Sequence, residues 1–417
     1  MAEYVVNGGH RLNGCIDIQG AKNSALPILA AAILCKDQVV LHNCPNLSDV
    51  ATSIKILRYL GCTVCCEAST VVIDSKGMYR CDIPTELMRE MRSSIVFLGA
   101  VLGRFRQAQM SLPGGCEIGP RPIDLHLSSL RQMGVEIDEN HGLLDCKISG
   151  ALQSADITLS FPSVGATENI MLAAVCSRGV TTITNAAREP EISDLADFLN
   201  SCGAKITGTG ETTIYIEGVK ALGGTQHIII PDRIVASTYM ACTAVCGGKL
   251  FLKGALQSHL GSVNTVFEQC GCLVDCMPEG IYISSNKNLK KARLVRTMPY
   301  PGFPTDAQAP VMAMCCFADG TSVFVENMFE SRYKHVDELC RMGAAIYVHD
   351  KVAVVEGSKK LYGTTVNTQD LRGGAALVVA ALGAEGTTCI KGINHIDRGY
   401  ENLEVLLSDA GADIKRI

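Results

Sequence analysis

The chain has 417 residues, 47% hydrophobic and 19% charged, with no tryptophan and a net charge of −5 at neutral pH. Such a composition fits a folded α/β protein with room for two or three domains and excludes a disordered chain. A negative balance without a broad basic face gives no support for binding duplex nucleic acid.

Residues 1–21 read as an extended pattern. The apolar run from Ala25 to Cys35 that follows contains Pro27, is too short to cross a bilayer and lacks the basic lead of a signal peptide. A cytoplasmic protein with no membrane segment is therefore expected. From Asp49 onward one pattern recurs six times: an amphipathic helical stretch, a glycine, then a short β-prone run. The glycines are Gly61, Gly134, Gly203, Gly271, Gly343 and Gly411, spaced 73, 69, 68, 72 and 68 residues apart. A period of about 70 residues is too long for a solenoid and right for one supersecondary module of strands and helices. Each glycine suits the position just past a helix, where positive φ is needed.

A second set of stretches is apolar on nearly every side: Ala25 to Cys35, Ser94 to Leu102, Ala166 to Cys176, Ile234 to Cys246, Ala309 to Phe317 and Ala375 to Leu382. Five of them are expected to end at Gly103, Gly179, Gly247, Gly320 and Gly386. A helix without a polar face must be surrounded by protein, so the expected fold is an α/β inside-out barrel in each of two domains, with helices at the centre. The modules divide into residues 22–229, holding modules 1–3, and residues 1–21 plus 230–417, holding modules 4–6. Polar residues recur where the buried helices begin: Lys22-Asn23, Arg92-Ser93-Ser94, Ser163 to Thr167, Asp232-Arg233, Thr305-Asp306 and Asp370-Leu371-Arg372. N-capping accounts for Ser, Thr, Asp and Asn there. It does not account for Lys22, Arg92, Arg233 or Arg372, because cations oppose the helix dipole unless an anion lies among them. A polyanionic ligand, held between the domains, is the reading these positions suggest.

The stretch Ser111 to His126 is rich in Gly and Pro and carries Cys116 and Arg121, so it reads as a long loop able to cover a ligand. A thiol there, near a cation, can act as nucleophile or proton donor. Asp306 can serve as a cap or as a base for a substrate hydroxyl, and Arg398 as a clamp or a surface ion pair. The 20 cysteines are scattered and mostly apolar in setting, which favours buried reduced thiols over disulfides or zinc, and no metal site is expected. Dinucleotide, P-loop, nucleophile-elbow and zincin motifs are missing.

Five motifs in order, Gly20-Ala-Lys-Asn23, Leu112 to Pro122, Asn185 to Glu191, Phe303-Pro-Thr-Asp306 and His395 to Glu401, make the whole chain resemble the UDP-N-acetylglucosamine 1-carboxyvinyltransferases, of the enolpyruvyl transferase family. The resemblance implies two inverse α/β barrels of three βαβαββ modules, with residues 1–21 completing the C-terminal domain and crossings near Gly20 and Ile229. It implies enolpyruvyl transfer from phosphoenolpyruvate to UDP-N-acetylglucosamine, with no cofactor and with the oligomeric state, monomer or higher, left open. By the same resemblance Cys116 gives a proton to the donor's methylene carbon or bonds to it. Lys22, Arg121 and Arg398 hold the donor, with Asn23 and Arg372 beside them, and Asp306 takes the sugar hydroxyl's proton. Arg92, Arg121, Pro122, Ile123, Asp124, Leu125, Ser163, Val164, Gly165 and Met328 surround the nucleotide sugar. Two departures stand out: Phe161 where many relatives carry a lysine, and Gly373-Gly374, expected to loosen the helix after Arg372. The competing readings are an acceptor like that of 5-enolpyruvylshikimate-3-phosphate synthase and a non-catalytic binder of UDP-sugars.

Overall fold

The computed structural model describes residues 2–113, 123–358 and 360–417. The backbone forms two compact units, one running from Gly20 to Ile230, the other joining the chain before Gly20 to Pro231–Ile417.

Each unit carries three four-stranded sheets built to one plan, in which a parallel pair is followed by two antiparallel neighbours. In Gly20–Ile230 the third sheet shows the plan within one stretch of chain. Asp156–Thr158 runs parallel to Val180–Thr184, which pairs antiparallel with Thr213–Glu217, and that strand pairs with Lys205–Thr207. The parallel pair needs a crossover, and the buried helix Val164–Ala174 supplies it. The outer helix Pro190–Ser201 then leads into the hairpin.

Three sheets borrow a strand from far along the chain. In Gly20–Ile230, Gln226–Ile228 lies parallel to Val39–His42 and completes the first sheet. In the other unit, Leu12–Asp17 lies parallel to Gly248–Lys253, and Glu3–Asn7 sits between Thr387–Lys391 and Asp413–Arg416. The sheet of the last module thus takes one of its inner strands from residues 3–7. Tyr4 and Val6 alternate inward there and are buried.

The apolar helices lie at the centre of each unit. All residues of Arg233–Cys246 are buried, as are Arg372 to Leu382 of the helix Leu371–Gly383, and these two pack on each other and on Thr305–Cys315. The amphipathic helices cover the outside and end as their glycines require. Gly61, Gly134, Gly203, Gly271, Gly343 and Gly411 all take φ between 86° and 106°, and the following N–H of Cys62, Cys272 and Ala344 returns to a carbonyl of the last turn.

Two expectations need correction. Of the five glycines expected to end buried helices, Gly247 alone is a C-cap. The helices before Gly179, Gly320 and Gly386 close at Val175, Cys316 and Ala384, and Gly103 lies inside Phe97–Phe105, which turns left-handed at Arg106. Gly103 is there for closeness, since a Cβ would stand 3.0 Å from Leu34 and 3.2 Å from the Leu172 carbonyl. Gly373 and Gly374 do not loosen their helix either. Both are buried, and a Cβ on Gly373 would come within 2.9 Å of Asp370 Oδ2 and His335 Cβ, one on Gly374 within 2.8 Å of Ile396. The absence of side chains lets neighbouring elements close onto the helix start.

Candidate active site

In the unit containing Pro231–Ile417, polar groups gather where the buried helices begin. Asp232 caps Arg233–Cys246 by accepting from the Ile234 and Val235 N–H groups, and Asp370 caps Leu371–Gly383 by accepting from Arg372 and Gly373. These two aspartates do the structural work that N-capping predicts. Asp306 does not. The cap of Thr305–Cys315 is Pro304, and the Asp306 carboxylate turns instead to two arginines. Arg332 Nη2 donates to Asp306 Oδ1 at 2.6 Å and to the Thr305 carbonyl at 3.2 Å. Arg372 Nε lies 3.6 Å from the same Oδ1, and its Nη1 donates to Tyr400 Oη at 3.2 Å. Tyr400 in turn exchanges a hydrogen bond with Thr238 at 2.8 Å.

Both guanidiniums are 3% exposed. Burial works against the charge on Arg372, but the fields of Tyr400, Asp306 and Asp232 outweigh it and hold its pKa above the ordinary guanidinium value. Hydrogen-bonding capacity is left over. Among the described residues Arg332 Nε, Arg372 Nε, Asp370 Oδ2 and both ring nitrogens of His335 are buried without a hydrogen-bond partner. An unmet buried donor costs about 1–3 kcal/mol, so these atoms have bonding capacity that a water or a ligand atom can meet. Burial, with Arg332 adding to it and Asp370 opposing, pushes the His335 imidazole down to about 4, so it is neutral at physiological pH. Arg398 is half-buried at the end of the 3-10 turn Ile393–Arg398, and Gln19 fixes the next residues through Gly399 and Glu401. Met328 is half-buried on the loop after the strand Gly320–Val325.

In Gly20–Ile230, Lys22 opens the helix Lys22–Ala31, is 8% exposed and pairs with Asp49 Oδ2 at 3.2 Å. Asp49 lies in the first turn of Ser48–Leu60, so its charge suits that helix N-terminus while it compensates the lysine. Asn23 is half-buried beside Lys22. Ser163 caps Val164–Ala174 through the Ala166 N–H, as expected of a cap. Ile123 precedes the helix Asp124–Gln132, on which Asp124 is exposed and Leu125 half-buried.

That helix brings in a residue that sequence reasoning had passed over. His126 is buried, its Nδ1 2.8 Å from Asn169 Nδ2, so Asn169 donates and the remaining ring proton sits on Nε2. Burial, helped by the charge of half-buried Arg92, pushes its pKa down to about 4. A Cβ on Gly165 would lie 3.0 Å from His126 Cε1, so Gly165 is glycine because the ring stands against the helix start. Arg92, Gly165 and the start of Asp124–Gln132 are thereby one neighbourhood. Phe161 is 41% exposed, two residues before Ser163.

The structure therefore joins Asp306 with Arg372 in one unit and Arg92 with the Asp124 helix and Gly165 in the other. Arg332 was also missed: it is an arginine on an irregular loop, 26 residues from the carboxylate it grips. Cys116, Arg121 and Pro122 lie outside the described residues. No group of three or more His, Cys, Asp or Glu side chains among the described residues is placed to hold a metal, and no helix among them is long and apolar enough to cross a membrane.

Two units of three βαβαββ modules around central helices are the architecture of the enolpyruvyl transferases. The solved enolpyruvyl transferase NikO from Streptomyces tendae superposes with a TM-score of 0.90 at 24% identity, over 100% of this chain and 98% of that one. EPSP synthase from Acinetobacter baumannii superposes at 0.80 and 17% identity, covering both chains in full. The family model for EPSP synthase (3-phosphoshikimate 1-carboxyvinyltransferase) matches residues 6–407. UDP-N-acetylglucosamine 1-carboxyvinyltransferase 2 of Caldanaerobacter subterraneus subsp. tengcongensis is 50% identical over 417 residues, 100% of both chains. UDP-N-acetylglucosamine 1-carboxyvinyltransferase 1 of Symbiobacterium thermophilum is 46% identical, over 99% of this chain and 95% of its own. The chain belongs to the enolpyruvyl transferase family and, within it, to the UDP-N-acetylglucosamine 1-carboxyvinyltransferases.

Proposed function

We propose that this chain transfers the enolpyruvyl group of phosphoenolpyruvate to the 3-hydroxyl of UDP-N-acetylglucosamine and releases phosphate, in the cytoplasm, as the first committed step of peptidoglycan synthesis. The observation that carries the chemistry is the Asp306 carboxylate held by Arg332 and Arg372, two buried guanidiniums with N–H capacity still unmet. A base must sit beside cations that bind an anionic donor without being neutralised by it, and this cluster has that composition.

In this reading Cys116 protonates the methylene carbon of the donor, and positive charge develops on the neighbouring carbon. The sugar oxygen attacks there while Asp306 takes its proton. The tetrahedral adduct then loses phosphate and the added proton, which restores the enol ether in the product. Lys22, Asn23, Arg121, Arg372 and Arg398 hold the donor's phosphate and carboxylate; arginine does so bidentately. Arg92, Arg121, Pro122, Ile123, Asp124, Leu125, Ser163, Val164, Gly165 and Met328 surround the nucleotide sugar, with the helix start at Val164 suited to its diphosphate. Acid, base and cationic clamp complete the reaction as written.

Phosphate release measured with phosphoenolpyruvate and either UDP-N-acetylglucosamine or shikimate 3-phosphate tests the acceptor. Turnover is expected only with the nucleotide sugar. Cys116→Ser and Asp306→Ala are each expected to lower kcat by about 10²- to 10⁴-fold, the range for losing an acid or base group. Turnover with shikimate 3-phosphate, or undiminished turnover in both variants, overturns the assignment.

A further inference from the structure

Glu326 immediately follows the strand Gly320–Val325, is 1% exposed, and has no role in the reaction as derived above. Its carboxylate accepts four hydrogen bonds. Oε1 takes the Thr297 hydroxyl at 2.9 Å and the backbone N–H groups of Met328 at 2.8 Å and Phe329 at 3.2 Å; Oε2 takes the Thr305 hydroxyl at 3.0 Å. Thr297 reinforces the same turn by accepting from the Asn327 N–H at 2.9 Å.

One of these bonds reaches Thr305, beside Asp306, and two reach the start of the loop that leads to Arg332. Thr305 is the first residue of its helix and adjoins Asp306. Glu326 holds its side chain while Arg332 holds its carbonyl, and Arg332 also grips Asp306. The loop that delivers Arg332 starts at the backbone groups that Glu326 anchors. One buried carboxylate therefore registers both partners of the Asp306–Arg332 pair, together with Met328 on the side assigned to the acceptor.

We propose that Glu326 is a positioning residue that aligns Asp306 for proton removal and sets the Met328–Phe329 backbone beside the acceptor, a role that rests on Asp306 being the base. Glu326 exchanges no proton with substrate. Its action runs through Thr305, Arg332 and the loop backbone, which separates it from a catalytic acid or base.

The test uses Glu326→Ala, Glu326→Gln and Thr305→Val in the full-length enzyme, with kcat, both KM values, the pH dependence of kcat and thermal melting measured together. Glu326→Ala strands several buried donors and is expected to lower kcat about 30- to 300-fold and raise the acceptor KM. Glu326→Gln keeps an oxygen for Met328 and Phe329 and offers an amide to Thr305 Oγ1, so it is expected to remain within about 5-fold of the parent. Thr305→Val cuts only the link to the base; kcat falls about 5- to 10-fold, equivalent to one hydrogen bond, while the acceptor KM holds. In Glu326→Ala and Thr305→Val the acidic limb of the kcat profile moves to higher pH as the grip of Arg332 on Asp306 slackens.

Should Glu326→Ala fail to fold, the Gln and Val variants decide the matter. Parent-like kcat and pH profile in Thr305→Val overturns the proposal. So does a Glu326→Gln enzyme as impaired as a catalytic-residue loss, which makes the carboxylate itself chemical. If Asp306→Ala retains turnover, the reading of the base fails instead, whatever the Glu326 variants do.

Discussion

Replacing Arg332 by alanine removes two charge-assisted hydrogen bonds at once, the 2.6 Å bond to Asp306 Oδ1 and the 3.2 Å bond to the Thr305 carbonyl. Bonds of this kind are worth about 1.5–3 kcal/mol each, so the ceiling is about 6 kcal/mol. Part of that is recovered, because the Asp306 side chain is 29% exposed to water and Arg372 stays 3.6 Å away. A net loss of about 3 kcal/mol remains, which at about 1.4 kcal/mol per decade lowers kcat by roughly 100- to 200-fold. Arg332→Lys keeps the charge but has no fork with which to serve Asp306 and Thr305 together, and is expected to lose about 10-fold. Phosphate release under saturating substrates, with a melting curve on each variant, measures both effects. An Arg332→Ala enzyme that folds like the parent and turns over within about threefold of it refutes the reasoning, since the orientation of Asp306 then owes nothing to the arginine.

Acid sensitivity should follow from the two buried imidazoles. His126 and His335 titrate near 4 in the folded protein, below the ordinary 6.5, so the unfolded chain binds these protons first. Stability is fully present above about pH 6.5 and is lost as pH falls toward 4, by about 1.4 kcal/mol per pH unit for each histidine. Denaturant melts at pH 7 and 4.5 should show this, and His126→Asn or His335→Asn should each flatten the slope by one proton; unchanged slopes would contradict it. Phe161→Lys places a cation on an exposed position before Ser163, and an exposed pair with the diphosphate is worth about 0.2–1 kcal/mol, so the KM for UDP-N-acetylglucosamine should fall up to about 5-fold with kcat unchanged. Gly373→Ala forces a methyl to within 2.9 Å of Asp370 and His335, an overpacking cost of about 1–3 kcal/mol. Melting temperature and kcat are both expected to drop, and a variant melting at the parent temperature shows that the helix start has slack.

The parts of the fold legible in the sequence are those governed by neighbours a few residues away. The six glycines announced themselves because a left-handed residue past a helix is a local requirement, and all six adopt it. The central helices were legible because a stretch such as Ile234 to Cys246 has no face to offer water. The same local rules failed at Gly103, where the choice of glycine answers to Leu34 and the Leu172 carbonyl and not to the helix end. Gly373 and Gly374 were misread for the same reason.

At the site, residue types in the five motifs were enough to nominate Lys22 and Asp306, a cation at a buried helix start singled out Arg372, and Asp232, Asp370 and Ser163 could be suspected as caps from their place alone. Whether Asp306 caps a helix or faces cations depends on Arg332, which arrives from 26 residues away, and the tautomer of His126 depends on Asn169, 43 residues on. Sequence alone thus determined the repeat, the buried and outer helices and the chemical inventory, because these depend on composition and short-range periodicity. Tertiary structure decided which charges meet, which glycines admit a neighbour and which N-terminal strand fills the last sheet, because such contacts come from chain segments brought together by burial.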